Sequence, residues 1–217
     1  MDLGNLDYWK PRRCMREPIP EIFLAAHFLD RAVGAHLSGD RASAAELINA
    51  ADMPIVREWT ESLWGKRMPQ YLRFRTVPGS PPKLAKADRI KRIMPNLAQE
   101  RLLVDRYGRN CVFCGIPLIH MRVREAVKKN YPHIKVWGDT NPSQHAAFQC
   151  MWMQFDHILP HARGGDNSSE NFFITCAPCN YARVDQTLEE AGLLDPRCRS
   201  TFKTSWDGLE RFLTDPS

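Results

Sequence analysis

The sequence predicts an α+β protein in which a helical N-terminal region precedes a smaller, cysteine-bearing module. Three observations predict it. Apolar residues recur at helical spacing through residues 20–65. Two Cys-x-x-Cys pairs, Cys111/Cys114 and Cys176/Cys179, bracket the second half of the chain. Between them, MWMQFDHILP and NFFITC are short apolar runs of strand character, separated by a polar stretch rich in turn formers.

Each element has its own local reason. Residues 1–17 are polar and read as a loose or draped lead. Pro18 and Pro20 open IPEIFLAAHFLDRAVGAHL, where Ile22, Ala25, Ala26, Leu29, Val33 and Leu37 share one helical face, and Gly39 ends it. Asp40 or Ser43 caps a second helix, SAAELINAAD, and Pro54 opens a third, PIVREWTESLWG. Residues 1–75 thus form a helical N-terminal domain. TVPGSPPK, with three prolines and a glycine, reads as a linker. The following ADRIKRIMPNLAQERLLVDRYG is helical in pattern with a break at Pro95, so residues 76–98 are assigned to linker and basic helix.

Residues 99–217 form the second domain. CVFCG is a tight turn and RVREAVKKN a short basic helix. Residues 131–147 read as a surface loop and APCNYARVD as a short helix. Thr187-Leu-Glu-Glu190 is a capping box that predicts a further helix, and SWDGLERFL a terminal one.

Composition narrows the function classes. Of 217 residues, 43% are hydrophobic, enough for a core, which excludes global disorder. The longest apolar stretch, Ile22 to Leu29, contains His27 and is far shorter than the roughly 18 residues of a membrane span. No apolar run follows MDLGNLDYWKPRR, so no secretory leader is expected. Seven cysteines, an odd number, argue for a reducing, cytoplasmic setting. The net charge is +5 but unevenly placed. Residues 66–129 hold 16 Lys/Arg against 4 Asp/Glu, whereas residues 1–65 and 130–217 are each acidic on balance. A basic middle between acidic ends points to a polyanionic partner, with a merely solvated basic face as the alternative.

Two metal sites are expected. Cys111, Cys114, Cys176 and Cys179 supply four thiolates for one structural Zn²⁺, with 61 residues between the pairs. The alternatives are two unrelated reduced pairs or a redox Cys-x-x-Cys. Cys14, Cys150 and Cys198 are assigned no chemistry. Asp156 and His157, adjacent at the end of an apolar run, offer a hard oxygen ligand and a base that titrates near neutrality. Neighbours on a regular strand face opposite ways, so serving one site calls for a distortion there. Asp with Asn and water suits Mg²⁺ or Mn²⁺ better than zinc.

Cys-x-x-Cys, Asp-His-Ile-x-Pro-x-x-x-Gly-Gly, Asn and Cys-x-x-Cys-Asn, in that order and spacing, resemble the HNH nuclease family over about Gln99 to Leu194. The resemblance implies a ββα-metal fold that cuts duplex DNA. It makes His157 the general base and Asp156 a ligand of the catalytic Mg²⁺ or Mn²⁺. Asn171 would brace the hairpin loop and orient the histidine, and Asn180 would be the second metal ligand. One such site per chain implies nicking. The 41 residues from Cys114 to Asp156 are longer than is usual in the family. The front half of that stretch carries Arg122, Arg124, Lys128 and Lys129, expected to contact DNA unless the excursion is only solvated surface. Arg163 and Arg183 flank the motif as candidate phosphate grips, with plain surface arginines as the alternative. His161 either reaches substrate or metal or is a half-exposed hairpin residue.

The layout is also similar to HNH nickases of bacterial anti-phage defence systems of the Zorya type. The N-terminal region carries no motif of its own, and docking a protein partner, binding DNA and covering the active site are the roles left open for it. Two other classes remain as alternatives: a DNA- or RNA-binding zinc module without catalysis, and a redox or scaffold protein.

Overall fold

The computed structural model describes residues 10–64 and 71–214. The fold is mixed α+β, with seven helices and one two-stranded antiparallel sheet among the described residues. Helices α1 (Pro20–Leu37), α2 (Arg41–Ala50) and α3 (Pro54–Glu61) come first. Helices α4 (Leu97–Tyr107), α5 (Met121–Asn130) and α6 (Ala146–Cys150) lead to strands β1 (Met153–His157) and β2 (Phe172–Cys176) and to helix α7 (Ala177–Arg183). No helix among the described residues is long and apolar enough to cross a membrane.

The first three helices form for local reasons. Pro20 and Pro54 sit in the first turns of α1 and α3, where no intrahelical N–H is needed. Ile22, Ala25, Ala26, Leu29, Ala32 and Val33 give α1 a continuous buried stripe. Gly39, at φ 84°, takes the left-handed turn that stops the helix. The Asp40 carboxylate then accepts the Ser43 N–H at 3.0 Å and caps α2.

These helices share one apolar core with the rest of the chain, running from Cys14 to Phe212. Buried His36 of α1 bonds the Tyr131 hydroxyl at 2.8 Å and stacks on Phe212, ring centroids 4.1 Å apart. The buried His145 ring donates Nε2–H to the Ile48 carbonyl at 2.8 Å, and Asp52 accepts the Ala146 N–H at 2.7 Å. The stretch 131–147 is therefore a packed connection and not the expected surface loop: Tyr131, Ile134, Val136, His145, Ala146 and Ala147 are all buried. Its apolar residues are too sparse for a periodic signal, yet Tyr131 packs on Phe212 and reaches His36 of α1, and His145 reaches Ile48 of α2.

Residues 1–9 of the expected loose lead lie outside the described residues. Those that follow are not loose, because Cys14 and Met15 are buried and Arg12 pairs with Leu193 through backbone hydrogen bonds. Three expected helices are absent. Residues 84–95 hold only a single 3-10 turn at Lys86–Asp88, and the helix starts at Leu97 behind an Asn96–Gln99 capping box. Pro95 disfavours helical backbone at Met94, and the carbonyls and N–H groups of the preceding segment bond elsewhere. The Thr187/Glu190 box does form, at 2.9 and 3.1 Å, but closes a turn. Gly192, at φ 64°, and the pairing of Glu190 with Arg163 stop its extension. At the C-terminus, positive φ at Gly208 and Leu209 confines the helical turn to Glu210–Thr214.

The sheet positions the site. β1 and β2 run antiparallel in the register Met153↔Cys176, Gln154↔Thr175, Phe155↔Ile174, Asp156↔Phe173 and His157↔Phe172. Phe173 stands edge-on to Tyr107 of α4 and to Phe113 of the first knuckle, at 5.8 and 5.7 Å. The Val112 N–H bonds the Ile174 carbonyl at 3.1 Å, so the first knuckle is hung directly on β2. The chain leaves β2 at Cys176 and enters α7 without a loop.

Candidate metal centre and active-site cavity

The two knuckles converge. The first is a tight turn closed by the Cys111 N–H on the Ile116 carbonyl at 2.8 Å and the Gly115 N–H on the Cys111 carbonyl at 2.9 Å. Gly115, at φ 77°, makes that turn possible. The second knuckle is the start of α7, with Cys176 at its N-cap and Cys179 one turn on. All four sulfurs are buried and lie within 4.8 Å of one another, the Cys114 and Cys176 sulfurs 3.6 Å apart. Zn–S bonds of about 2.3 Å in a tetrahedron place sulfurs about 3.8 Å apart. The cluster is close enough to hold one metal ion, and its all-thiolate donor set fits a structural zinc. Full occupation by protein ligands leaves no position for a substrate.

A second feature lies at the far end of β1. Asp156, His157, Gln154 and Asn180 line one cavity of about 740 Å³, together with His161, Arg89 and Arg92. Gln154 and Asp156 project from one face of the strand. His157 is its last residue and reaches the same cavity where the ladder ends. Its ring packs on Phe172, centroids 4.4 Å apart. His157 is 3% exposed as a residue, and its buried Nε2 has no hydrogen-bond partner. Burial is the main cause that lowers its pKa to about 4; the charges of Arg92, His161 and Arg183 add to it, and Asn167 pulls the other way. At neutral pH it is an uncharged base with a free ring nitrogen.

Asp156 is held from behind. Arg183 Nε and Nη2 donate to Asp156 Oδ2 at 2.9 and 2.6 Å. The same guanidinium donates to the carbonyls of His157, of Ile158 at 3.2 Å and of Gln186 at 3.0 Å. Burial raises the pKa of the Asp156 carboxyl, while Arg183 and then Arg92 pull it back. No described side chain bonds Asp156 Oδ1. The Asn180 amide nitrogen donates to Gln154 Oε1 at 3.4 Å, leaving its carbonyl oxygen available to the cavity. Two hard oxygens and open space fit a divalent cation of the Mg²⁺ or Mn²⁺ type.

Asn171 stays out of this cavity and ties the loop beneath it. Its Oδ1 accepts the Leu159 N–H at 2.8 Å, and its Nδ2 donates to the carbonyls of Leu159 and Asp166 at 3.2 and 2.9 Å. Gly165 has no room for a side chain, since a Cβ there would sit 1.8 Å from the Leu159 carbonyl oxygen.

None of the six cations expected at DNA lines the cavity. Three have turned inward. Arg183 has no exposed side-chain surface. Arg163 clasps Glu190 at 2.9 Å with 8% of its side chain exposed. Arg124 lies over the Trp137 ring at 3.7 Å and pairs with Glu125. Their apolar stems and planar heads find aromatic and carboxylate partners within reach, which position in the sequence does not reveal. Arg122, Lys128 and Lys129 are exposed on α5, and Arg122 borders a different cavity with Glu100 and His120. His161 donates Nε2–H to the Ile90 carbonyl at 2.6 Å. The cavity's own cations, Arg89 and Arg92, come from the segment read as linker and helix. The one signal of them in the sequence was the basic excess of the chain's middle.

No known family model, curated protein or solved structure matches the chain.

Proposed function

We propose that the chain is a metal-dependent DNA endonuclease of the HNH type, cutting one strand of a duplex at each visit. The observation that carries the reading is that His157, with a buried and unbonded ring nitrogen, and Asp156 line the same cavity. The hairpin β1–β2 running straight into α7, with the thiolate cluster at its root, supports it as well. An anti-phage role belongs to the same proposal and rests on the resemblance alone.

In this reading Asp156 Oδ1 and the Asn180 amide oxygen hold the cation. When bound, it supplies charge to offset that developing on the phosphate. His157 accepts a proton from a water molecule whose oxygen forms the new bond to phosphorus, and the bond to the 3′-oxygen breaks, the leaving oxygen taking a proton from solvent water to become the 3′-hydroxyl. Arg183 keeps Asp156 and the His157 backbone in place from behind, and Asn171 holds the loop.

The test is relaxation of a supercoiled plasmid with Mg²⁺ or Mn²⁺. Open-circle product that disappears with chelator or in His157→Ala supports the reading. Product that persists in His157→Ala contradicts it. The clamp of Arg183 on Asp156 favours a second reading, a nucleic-acid-binding zinc module without catalysis. That reading predicts DNA binding with intact plasmid.

A further inference from the structure

We propose that residues 84–94 form a substrate-holding strap over the cavity, from which Arg92 grips a DNA phosphate. The proposal rests on the nuclease reading for its substrate class.

The strap is fixed by the catalytic loop and not by its own secondary structure. The Leu84 N–H bonds the Ala162 carbonyl at 2.8 Å. The Ile90 carbonyl accepts from His161 at 2.6 Å. Asn167 bonds both ways, from its Nδ2 to the Lys91 carbonyl at 3.0 Å and from the Ile93 N–H to its Oδ1 at 3.1 Å. Residues 90, 91 and 93 are thus pinned, and residue 92 between them is aimed by its neighbours.

Arg92 lines the cavity with Asp156 and His157, and its guanidinium makes no hydrogen bond or ion pair with any described residue. The nearby arginines differ. Arg89 directs Nε and Nη2 at the Leu84 carbonyl, at 3.0 and 2.9 Å, and Arg163 and Arg183 are taken by Glu190 and Asp156. The charges lining the cavity do not cancel. Asp156 is matched by Arg183 and Asp185 by Lys83 at 2.9 Å. Arg89 and Arg92 are left over, so the cavity attracts an anion even though an aspartate lines it. An unpartnered guanidinium carried on a pinned stretch of backbone, beside a base and a carboxylate, is placed to donate to a phosphate.

The experiment is a salt series of anisotropy titrations with a short labelled duplex and Mg²⁺, all in the His157→Ala background. Arg92→Ala is expected to weaken binding by about 10- to 100-fold and to flatten the log–log salt slope by about one. Arg92→Lys should keep the slope and recover part of the affinity, and Lys135→Ala, outside the cavity, should change neither. Unchanged affinity and slope in Arg92→Ala would overturn the strap while leaving the nuclease reading to plasmid relaxation. If His157-intact protein relaxes no plasmid but Arg92→Ala lowers affinity and slope, the strap stands and the nuclease reading falls. No DNA binding at all removes both. Because Arg92 is exposed and unbonded, equal thermal midpoints are expected and exclude misfolding.

Discussion

Arg183 directs its guanidinium at Asp156 Oδ2 and at the carbonyls of His157, Ile158 and Gln186, all inside the protein. A cation so placed costs several kcal/mol to desolvate and is tolerated because every donor direction meets an oxygen. Removing it leaves Asp156 buried without a counter-charge. Arg183→Met is therefore expected to lose about 3–5 kcal/mol in urea unfolding. Arg183→Lys should recover little of it, since one ammonium cannot span four oxygens. A loss below about 1 kcal/mol, the range of a surface ion pair, would contradict the clamp. The sequence showed a basic residue at this place but not its direction. Spacing put Asp156 and His157 together because they are neighbours; it could not place Arg183 behind them, since that contact spans 27 residues.

At the scale of elements, legibility followed locality. α1 could be read from Pro20, the apolar stripe and Gly39, all within 20 residues. The knuckles could be read because Cys-x-x-Cys is itself the turn. The strap could not, because what holds it extended is the loop some 70 residues later, and its local pattern imitates a helix. The Thr187/Glu190 box shows the same limit: the local signal formed, and a tertiary partner, Arg163, decided what followed. Phe173 is the joint between elements, with α4 on one side and the first knuckle on the other. Phe173→Ala is expected to cost about 3–5 kcal/mol. Hydrogen exchange should then show α4 and residues 110–116 loosening together; loosening of β2 alone would argue against the joint.

Among the described residues, one apolar core and one thiolate cluster organise the molecule. A four-thiolate zinc contributes on the order of 10 kcal/mol to folding in small domains. One equivalent of zinc per chain is expected by elemental analysis, and Cys176→Ser should lose both the metal and the cooperative thermal transition. Metal-free protein with an unchanged transition would contradict a structural role. Acid should weaken the fold through His145. Burial is the main cause that lowers its pKa below the ordinary 6.5, Arg57 adds to it, and Asp52 and the Ile48 carbonyl oppose. The unfolded chain then takes up a proton near pH 6.5 that the folded chain refuses. His145 is neutral in both states above that pH, so the penalty begins as pH falls through 6.5. It grows by up to about 1.4 kcal/mol per pH unit until the lowered folded pKa is reached. Urea midpoints should fall less steeply from pH 7.5 to 5.5 in His145→Gln than in the parent; equal slopes would contradict this assignment.

The most direct test of the central claim is a single-turnover rate on plasmid DNA for the parent chain and His157→Ala, at matched DNA occupancy with Mg²⁺ or Mn²⁺. General-base catalysis predicts a loss of about 10²- to 10⁴-fold in the cutting step with DNA affinity intact. Equal rates, or a loss that follows affinity alone, would contradict a catalytic cavity at the end of β1.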